Sequence, residues 1–189
     1  MTQEIKTQIS GKFSAEDNGM FLLKRKLEQA GITVEFPFGD KIVGIYKNIP
    51  VTFVPTKKRS FYDVELAFFA AIRTNLVHIV HNKHEKRLGY IGESASIESA
   101  YAVLHRKPII LLYHPKFSNQ VPQCVRKLMR QNIDKLFVAR LDMLSGNRLA
   151  AFVTEAVGNF PVQYDLCDTE TEIGVMNAIA RLFESYKSL

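Results

Sequence analysis

The residues best suited to chemistry lie together, between positions 76 and 113. An apolar run from Leu76 to Val80 predicts a buried strand, a basic loop follows, and a serine-rich segment begins a predicted helix that carries Glu98. A second apolar strand starts at Ile109. Strand, loop, helix and strand in this order predict a βαβ crossover with parallel strands. Since ligands bind outside the carboxyl ends of such strands, the loop from Asn82 to Gly92 and the following helix start form the candidate site.

Glu98 is the candidate nucleophile. If Ser94 caps the helix, the Glu98 carboxylate lies near free backbone N–H groups at the positive helix end, which favours its ionised form. An ionised, positioned carboxylate can attack an electrophilic carbon, and the usual electrophile is the anomeric carbon of a sugar. The alternative is a glutamate that only complements the helix dipole. Glu93 is a candidate proton donor to a leaving group, or an exposed side chain beside the cap.

The loop before the helix is rich in cations. Lys83, His84 and Arg87, with the Ser94 hydroxyl and the helix N–H groups, predict a site for a 5′-phosphate. The alternative is a solvated loop whose side chains do not touch a ligand. Tyr90 could stack on a nucleobase or form a hydrogen bond with it.

The same stretch argues against a metal site. His78, His81 and His84 are spaced three apart, but positions 78 and 81 of a strand point to opposite faces, and no Cys or acidic cluster completes a ligand set. The P-loop and dinucleotide-binding fingerprints are also absent from the sequence. We therefore predict no metal and no cofactor.

Composition is typical of a soluble globular protein, with 47% hydrophobic and 23% charged residues in 189. No apolar run approaches the roughly 20 residues that span a bilayer, and the first ten residues lack the apolar core of a signal peptide, so we expect no membrane association and a cytoplasmic location. The net charge of +6 favours an anionic partner, the alternative being a solvated basic face. A nucleic acid is the less favoured partner, because no motif interleaves aromatic and basic residues.

The predicted strands and helices that position these residues indicate one α/β domain over residues 1–189. It is a doubly wound, flavodoxin-like or Rossmann-like fold with a mostly parallel five-stranded sheet, helices on both faces and an inserted edge hairpin near residues 42–54. The predicted strands are Ile5–Ser10, Ile32–Phe36, Leu76–Val80, Ile109–Tyr113 and Lys135–Leu141. The predicted helices are Met20–Ala30, Tyr62–Arg73, Ser94–Arg106, Val121–Gln131, Arg148–Val157 and Thr169–Lys187.

The motif around Glu98 resembles the nucleoside 2-deoxyribosyltransferase-like family. The resemblance is carried by Gly89-Tyr90-Ile91-Gly92-Glu93-Ser94-Ala95-Ser96-Ile97-Glu98, by Tyr101-Ala102 and Lys107-Pro108-Ile109 after it, and by Ile9-Ser10-Gly11 at the end of the first strand. Members of the family have a glycine-bearing loop, a Ser or Thr, a Glu on the following helix and a Lys-Pro before the next strand. The chain departs from the family at Asn75, where many members carry an acidic residue, and in a longer Gly92-to-Glu98 spacing.

The resemblance implies that Glu98 attacks C1′ of a nucleoside or nucleoside 5′-monophosphate and expels the base. Another base or water would then resolve the glycosyl-enzyme, giving transfer or hydrolysis. The residues expected to bind the substrate are Ser10, Gly11, Asn82, Tyr90, Gly92, Ser94 and Ser96. Family members commonly form homo-oligomers, so the same is expected here. The alternative, prompted by the missing acidic residues, is a nucleotide-binding or sensing module without catalysis.

Overall fold

The computed structural model describes residues 4–14, 19–35, 41–46, 48–84 and 86–188. Its centre is a five-stranded sheet in which every neighbouring pair is parallel. The strands are β1 (Lys6–Gly11), β2 (Thr33–Glu35), β3 (Val77–His81), β4 (Ile109–Leu111) and β5 (Phe137–Val138). Their spatial order is β2-β1-β3-β4-β5, so the chain reverses its direction of winding at β1 and β3. This is the strand order of flavodoxin-like doubly wound folds, as predicted.

In the described part of the chain, six helices connect and cover the strands. They are α1 (Gly19–Gln29), α2 (Phe61–Thr74), α3 (Glu93–Leu104), α4 (Gln123–Gln131), α5 (Gly146–Gly158) and α6 (Thr169–Lys187). Helices α2, α3, α4 and α6 pack together on one face of the sheet, and α1 and α5 pack together on the other. The prediction of a doubly wound α/β fold is confirmed. Among the described residues, no helix has the length and apolar content that a bilayer crossing requires.

The core follows from the alternation of side chains along buried strands. Ile79 of β3 and Ile110 of β4 join the cluster under α1 and α5, whereas their neighbours Val80 and Leu111 join the cluster under the other four helices. Both faces of these strands are buried, which explains why β4 is entirely apolar and why β3 is apolar at Val77, Ile79 and Val80. The central strands therefore form a rigid base for the loops at their carboxyl ends.

Helices α2 and α3, which begin near the carboxyl ends of the strands, differ in how their first turns are capped. Helix α2 begins with a capping box, in which Ser60 accepts a hydrogen bond from the Asp63 backbone N–H and Asp63 accepts one from the Ser60 N–H. Helix α3 begins after Gly92, an N-cap residue in extended conformation that has no side chain to cap the helix. The prediction that Ser94 is the cap is wrong, because the helix starts earlier and places Ser94 inside its first turn.

The segments outside the sheet form short strand pairs. Gly44–Tyr46 and Ile49–Val51 form an antiparallel pair close to the predicted hairpin, but they make their own two-stranded sheet instead of extending the edge of the central one. In the loop after β3, Lys83–His84 pairs with Arg87–Leu88, and Tyr90–Ile91 pairs with Lys116–Phe117 from the loop after β4. Phe36, the predicted end of β2, lies outside the described residues.

The last strand of the sheet is shorter than predicted. Only Phe137–Val138 pairs with β4, whereas Lys135–Leu141 was expected to be extended. Ile133–Lys135 and Leu141–Met143 instead form single turns of 3-10 helix on either side. The apolar residues of this segment indicate burial correctly, but they do not distinguish a strand from a tight turn.

Candidate active site

A cavity of about 500 Å³ opens at the carboxyl end of β1, between α2, the start of α3 and the hairpin at residues 44–51. Its wall is largely aromatic, with Phe13, Tyr46, Phe53, Phe61, Phe68, Tyr90 and Tyr186. Its polar side chains include Ser10, Glu65, Glu93, Ser94 and Glu98. The volume is within the range of small-molecule sites, and an apolar wall with few polar groups is typical of them. Of the predicted site residues, the cavity brings together Glu98, Glu93, Ser10, Gly11, Tyr90, Gly92 and Ser94.

Glu98 is buried at the base of this cavity, with 6% of its surface exposed. It is the sixth residue of α3, and its carboxylate accepts a hydrogen bond from the Ser10 hydroxyl at the end of β1. Burial raises the pKa of Glu98, and hydrogen bonds with Ser10 and Glu65 oppose that rise. The expectation that free helix N–H groups lower this pKa is therefore wrong, because the residue lies one turn too deep in the helix to reach them.

Glu65 is the partner that sequence reasoning missed. It projects from α2, is 7% exposed, and contacts Glu98 by a carboxyl–carboxyl hydrogen bond. Burial, the Glu98 charge and that hydrogen bond raise the pKa of Glu65 well above its usual value. Its Oε1 is buried and has no hydrogen-bond partner in the described structure. The pKa is raised for both groups, so the pair binds its first proton at a higher pH than an ordinary carboxyl group does, and that proton is shared in the hydrogen bond between them.

A sequence signal for Glu65 does exist. It lies four residues before Phe69 and seven before Ile72, on the buried face of α2. A glutamate is rarely buried without a functional or paired role, so its place on an apolar helix face is the signal. Tyr186, near the end of α6, offers no comparable signal because 88 residues separate it from Glu98 in the sequence. Only tertiary packing brings it to the cavity.

Tyr186 and Ser94 also line the cavity. Their hydroxyl oxygens are 3.4 Å apart. Burial raises the pKa of Tyr186, so the phenol stays protonated at neutral pH. Glu93 is the first residue of α3 and is exposed. The protonated phenol of Tyr186 and the exposed side chain of Glu93 therefore both line the cavity that holds the buried carboxyl pair.

Gly11 and Gly92 line the cavity as backbone. A Cβ at Gly11 would lie 2.8 Å from the His81 carbonyl oxygen, so no larger residue fits between β1 and β3 there. A Cβ placed on Gly92 would have Tyr90 Cε1 as its nearest neighbour, at 3.9 Å. Gly11 is thus required by strand packing, whereas Gly92 keeps the helix start open toward the cavity.

Asn82 and Ser96 lie outside the lining of the cavity. The Asn82 side chain accepts hydrogen bonds from the backbone N–H groups of Leu112 (2.9 Å) and Tyr113 (3.0 Å) and donates one to the Tyr113 carbonyl (2.6 Å). The Ser96 hydroxyl donates to the Gly92 carbonyl at 2.7 Å. Both side chains are occupied by backbone groups, which fixes the loop after β3 and the first turn of α3.

The predicted phosphate cations lie away from the carboxyl pair. The Lys83 ammonium is 4.0 Å from the Asp142 carboxylate, on the side of the loop that faces the second 3-10 turn. The His84 ring lies beside Tyr90, with ring centroids 6.2 Å apart. Arg87 lines a second, smaller pocket of about 370 Å³ together with Lys86, Leu88, Tyr90 and Lys116. Tyr90 lines both this basic pocket and the cavity.

Comparisons with protein-family models and with curated proteins gave no match. Among the described residues, no cluster of three or more His, Cys, Asp or Glu side chains could hold a metal ion. The groups that can do chemistry at this site are a buried carboxyl pair and a serine hydroxyl, beside an aromatic wall.

Proposed function

We propose that the chain cleaves or transfers at the N-glycosidic bond of a nucleoside or nucleoside 5′-monophosphate, with Glu98 as the nucleophile. The observation that carries the proposal is the carboxyl pair of Glu98 and Glu65 inside an aromatic cavity at a sheet switch point. The resemblance of residues 89–109 to the nucleoside 2-deoxyribosyltransferase-like family supports it.

In the first step, a Glu98 carboxylate oxygen attacks C1′ and the C1′–N bond breaks, with its electron pair passing to the departing base. Ser10 and Glu65 both donate hydrogen bonds to that carboxylate, which hold it in place and oppose the rise that burial causes in its pKa. The base leaves as a neutral molecule if it takes a proton, and Glu65 is the buried carboxylic acid nearest to the reaction. The predicted donor Glu93, which also lines the cavity, is the second candidate.

In the second step, a base or a water molecule attacks C1′ of the glycosyl ester, and the C1′–O bond to Glu98 breaks. The Glu65 carboxylate, left without its proton after the first step, accepts the proton of the incoming water or base. The pair then returns to its starting state. Attack by a second base gives transfer, and attack by water gives hydrolysis. The aromatic wall supplies stacking surface for a planar base.

The test is base release or exchange from a panel of nucleosides and 5′-monophosphates, followed by chromatography, with wild type and Glu98→Gln. We expect Glu98→Gln to lose at least about a thousandfold in rate, because an amide oxygen is a poor nucleophile. A Glu155→Gln variant removes one exposed carboxylate from α5 and should keep full activity. Turnover by Glu98→Gln at the wild-type rate would contradict the assignment.

A second candidate function is a nucleotide-binding or sensing module that does not turn its ligand over. It is favoured by the burial of Glu98, which raises the pKa of this group and so lowers the fraction of it that is present as the nucleophilic carboxylate. In that case wild type would release no base, and Glu98→Gln would bind the nucleotide as tightly as wild type. Base release by wild type separates the two functions, because a binding module forms no free base from a nucleotide that it binds.

A cytoplasmic location and a homo-oligomeric state are also part of the proposal. We infer the location from the composition of the chain and the oligomeric state from the family resemblance. Light scattering after size-exclusion chromatography would measure the mass directly, and a monomer at every concentration would contradict the oligomer.

A further inference from the structure

The second pocket is built from two loops held in fixed register. Lys86, Arg87 and Leu88 come from the short hairpin after β3, and Lys116 comes from the loop after β4. The Lys116 backbone N–H donates to the Gly89 carbonyl at 2.7 Å, and Lys116 pairs with Tyr90 as parallel strands. Gly89 has φ +84°, and a Cβ there would overlap the His114 carbonyl oxygen. The two loops are therefore in close backbone contact, and the three cations converge by backbone geometry.

The charge of this pocket points to an anion. Its five lining residues include three cations, and no acidic side chain lines it among the residues that the structure describes. The side chains of Lys86, Arg87 and Lys116 take part in none of the ion pairs found in the described chain. Three cations around one concave surface form a site for a phosphate group, since arginine and lysine both bind phosphate oxygens through charge-assisted hydrogen bonds.

Tyr90 connects this pocket to the cavity that holds Glu98. Its ring lines both, and the Arg87 guanidinium carbon lies 6.0 Å from the ring centroid on the pocket side. Two residues beyond Tyr90, the chain reaches Gly92 and the start of α3 at the cavity. A ligand that occupied both spaces would therefore contact Tyr90.

The start of α3, another place where a phosphate could bind, is less suited to it. Its first residue is Glu93, whose carboxylate would repel an anion at the helix end. The Ser94 hydroxyl already lies 3.4 Å from the Tyr186 hydroxyl. Among the described residues, no carboxylate lines the second pocket to repel an anion from its cations.

We infer that Lys86, Arg87 and Lys116 bind the phosphate of a nucleotide whose sugar and base occupy the cavity at Glu98. This deepens the proposed function, on which it rests, by making phosphorylated nucleotides the preferred ligands over free nucleosides. Lys116 and Lys86 replace the predicted Lys83 and His84 as the partners of Arg87. Lys116 distinguishes this pocket from the phosphate site predicted from the sequence, because it lies in the loop after β4, far along the chain from the cations of the loop after β3.

The experiment measures binding by isothermal titration calorimetry to Glu98→Gln, so that turnover is not needed. The probes are a nucleoside, its 5′-monophosphate and its 5′-diphosphate, and the second substitution is Arg87→Ala or Lys116→Ala. Arg148→Ala, which removes one exposed cation from α5 on the other face of the sheet, is the matched control. We expect at least one phosphorylated probe to bind about tenfold or more tightly than the nucleoside, and each pocket variant to lose that advantage while Arg148→Ala keeps it.

Three results would overturn the inference. Equal affinity for all three probes would show that the phosphate adds nothing. Equal weakening by Arg87→Ala and Arg148→Ala would reduce the effect to net charge. Inorganic phosphate that binds in an Arg87-dependent way without competing with the nucleotide would make the pocket a separate anion site. Failure of the glycosidic function is distinguishable, because it would remove base release by Glu98-containing enzyme and leave these binding differences intact.

Discussion

Asn82 and Glu65 are both buried polar side chains near the same edge of the sheet, yet their surroundings differ. The side chain of Asn82 makes three hydrogen bonds to the backbone of Leu112 and Tyr113, which join the end of β3 to the end of β4. Glu65 contacts another carboxyl group and leaves Oε1 without a partner in the described structure. A satisfied buried amide stabilises the fold, whereas an incompletely satisfied buried acid lowers stability and is retained where chemistry needs it.

The largest expected effect comes from Glu65→Gln, which removes the acid and keeps the shape. If Glu65 donates the proton to the leaving base, base release should fall by about 10²–10⁴-fold, because an amide cannot supply that proton. The measurement is kcat for base release across the pH range. Loss of activity without any change in its pH profile would mean that Glu65 acts only through packing.

The same variant should be more stable than wild type at neutral pH. The raised pKa of Glu65 means that the folded protein holds a proton that the unfolded chain loses above about pH 4.5. The folded state therefore binds more protons, and the free energy of unfolding of wild type falls as pH rises from there toward the folded pKa. Each unit by which the pKa differs between the folded and the unfolded state changes the free energy of unfolding by about 1.4 kcal/mol. Urea unfolding at several pH values should show that the stability advantage of Glu65→Gln over wild type grows with pH. Glu155→Gln should show no such advantage.

The next effect in size is expected from Asn82→Ala. It leaves the N–H groups of Leu112 and Tyr113 and the Tyr113 carbonyl without this partner, so the free energy of unfolding should fall by about 2–4 kcal/mol. Asn147→Ala, at an exposed position in α5, is the matched control. If stability is unchanged while nucleotide affinity falls, Asn82 belongs with the ligand-binding residues, as expected from the sequence, and the contrast with Glu65 fails.

The smallest effect should come from Lys83→Ala. The Lys83–Asp142 pair is 4.0 Å long and part-exposed, so its loss should change the free energy of unfolding by less than about 1 kcal/mol. Nucleotide affinity should also be unchanged, because Lys83 lines neither pocket. A drop in affinity for the monophosphate alone would return the phosphate site to the cations predicted from the sequence.

The sequence by itself determined the framework around Glu98. The mostly apolar segments Leu76–Val80 and Ile109–Leu111 indicated buried strands, and the helix between them indicated a parallel crossover. Glu98 is named from the local pattern around its helix start, whereas Ser10 at the end of the first strand is implied by the family resemblance. Such features depend on neighbours within a few residues, which is why they are readable.

Only the tertiary structure decided which polar groups meet. The partners of Glu98 lie 88 residues away at Ser10 and on a different helix at Glu65, and burial among them raises the pKa that the helix start alone was expected to lower. The same holds for Lys116, which joins Arg87 through a strand pairing between two loops. Desolvation and charge coupling depend on atoms in space, so no spacing along the chain specifies them.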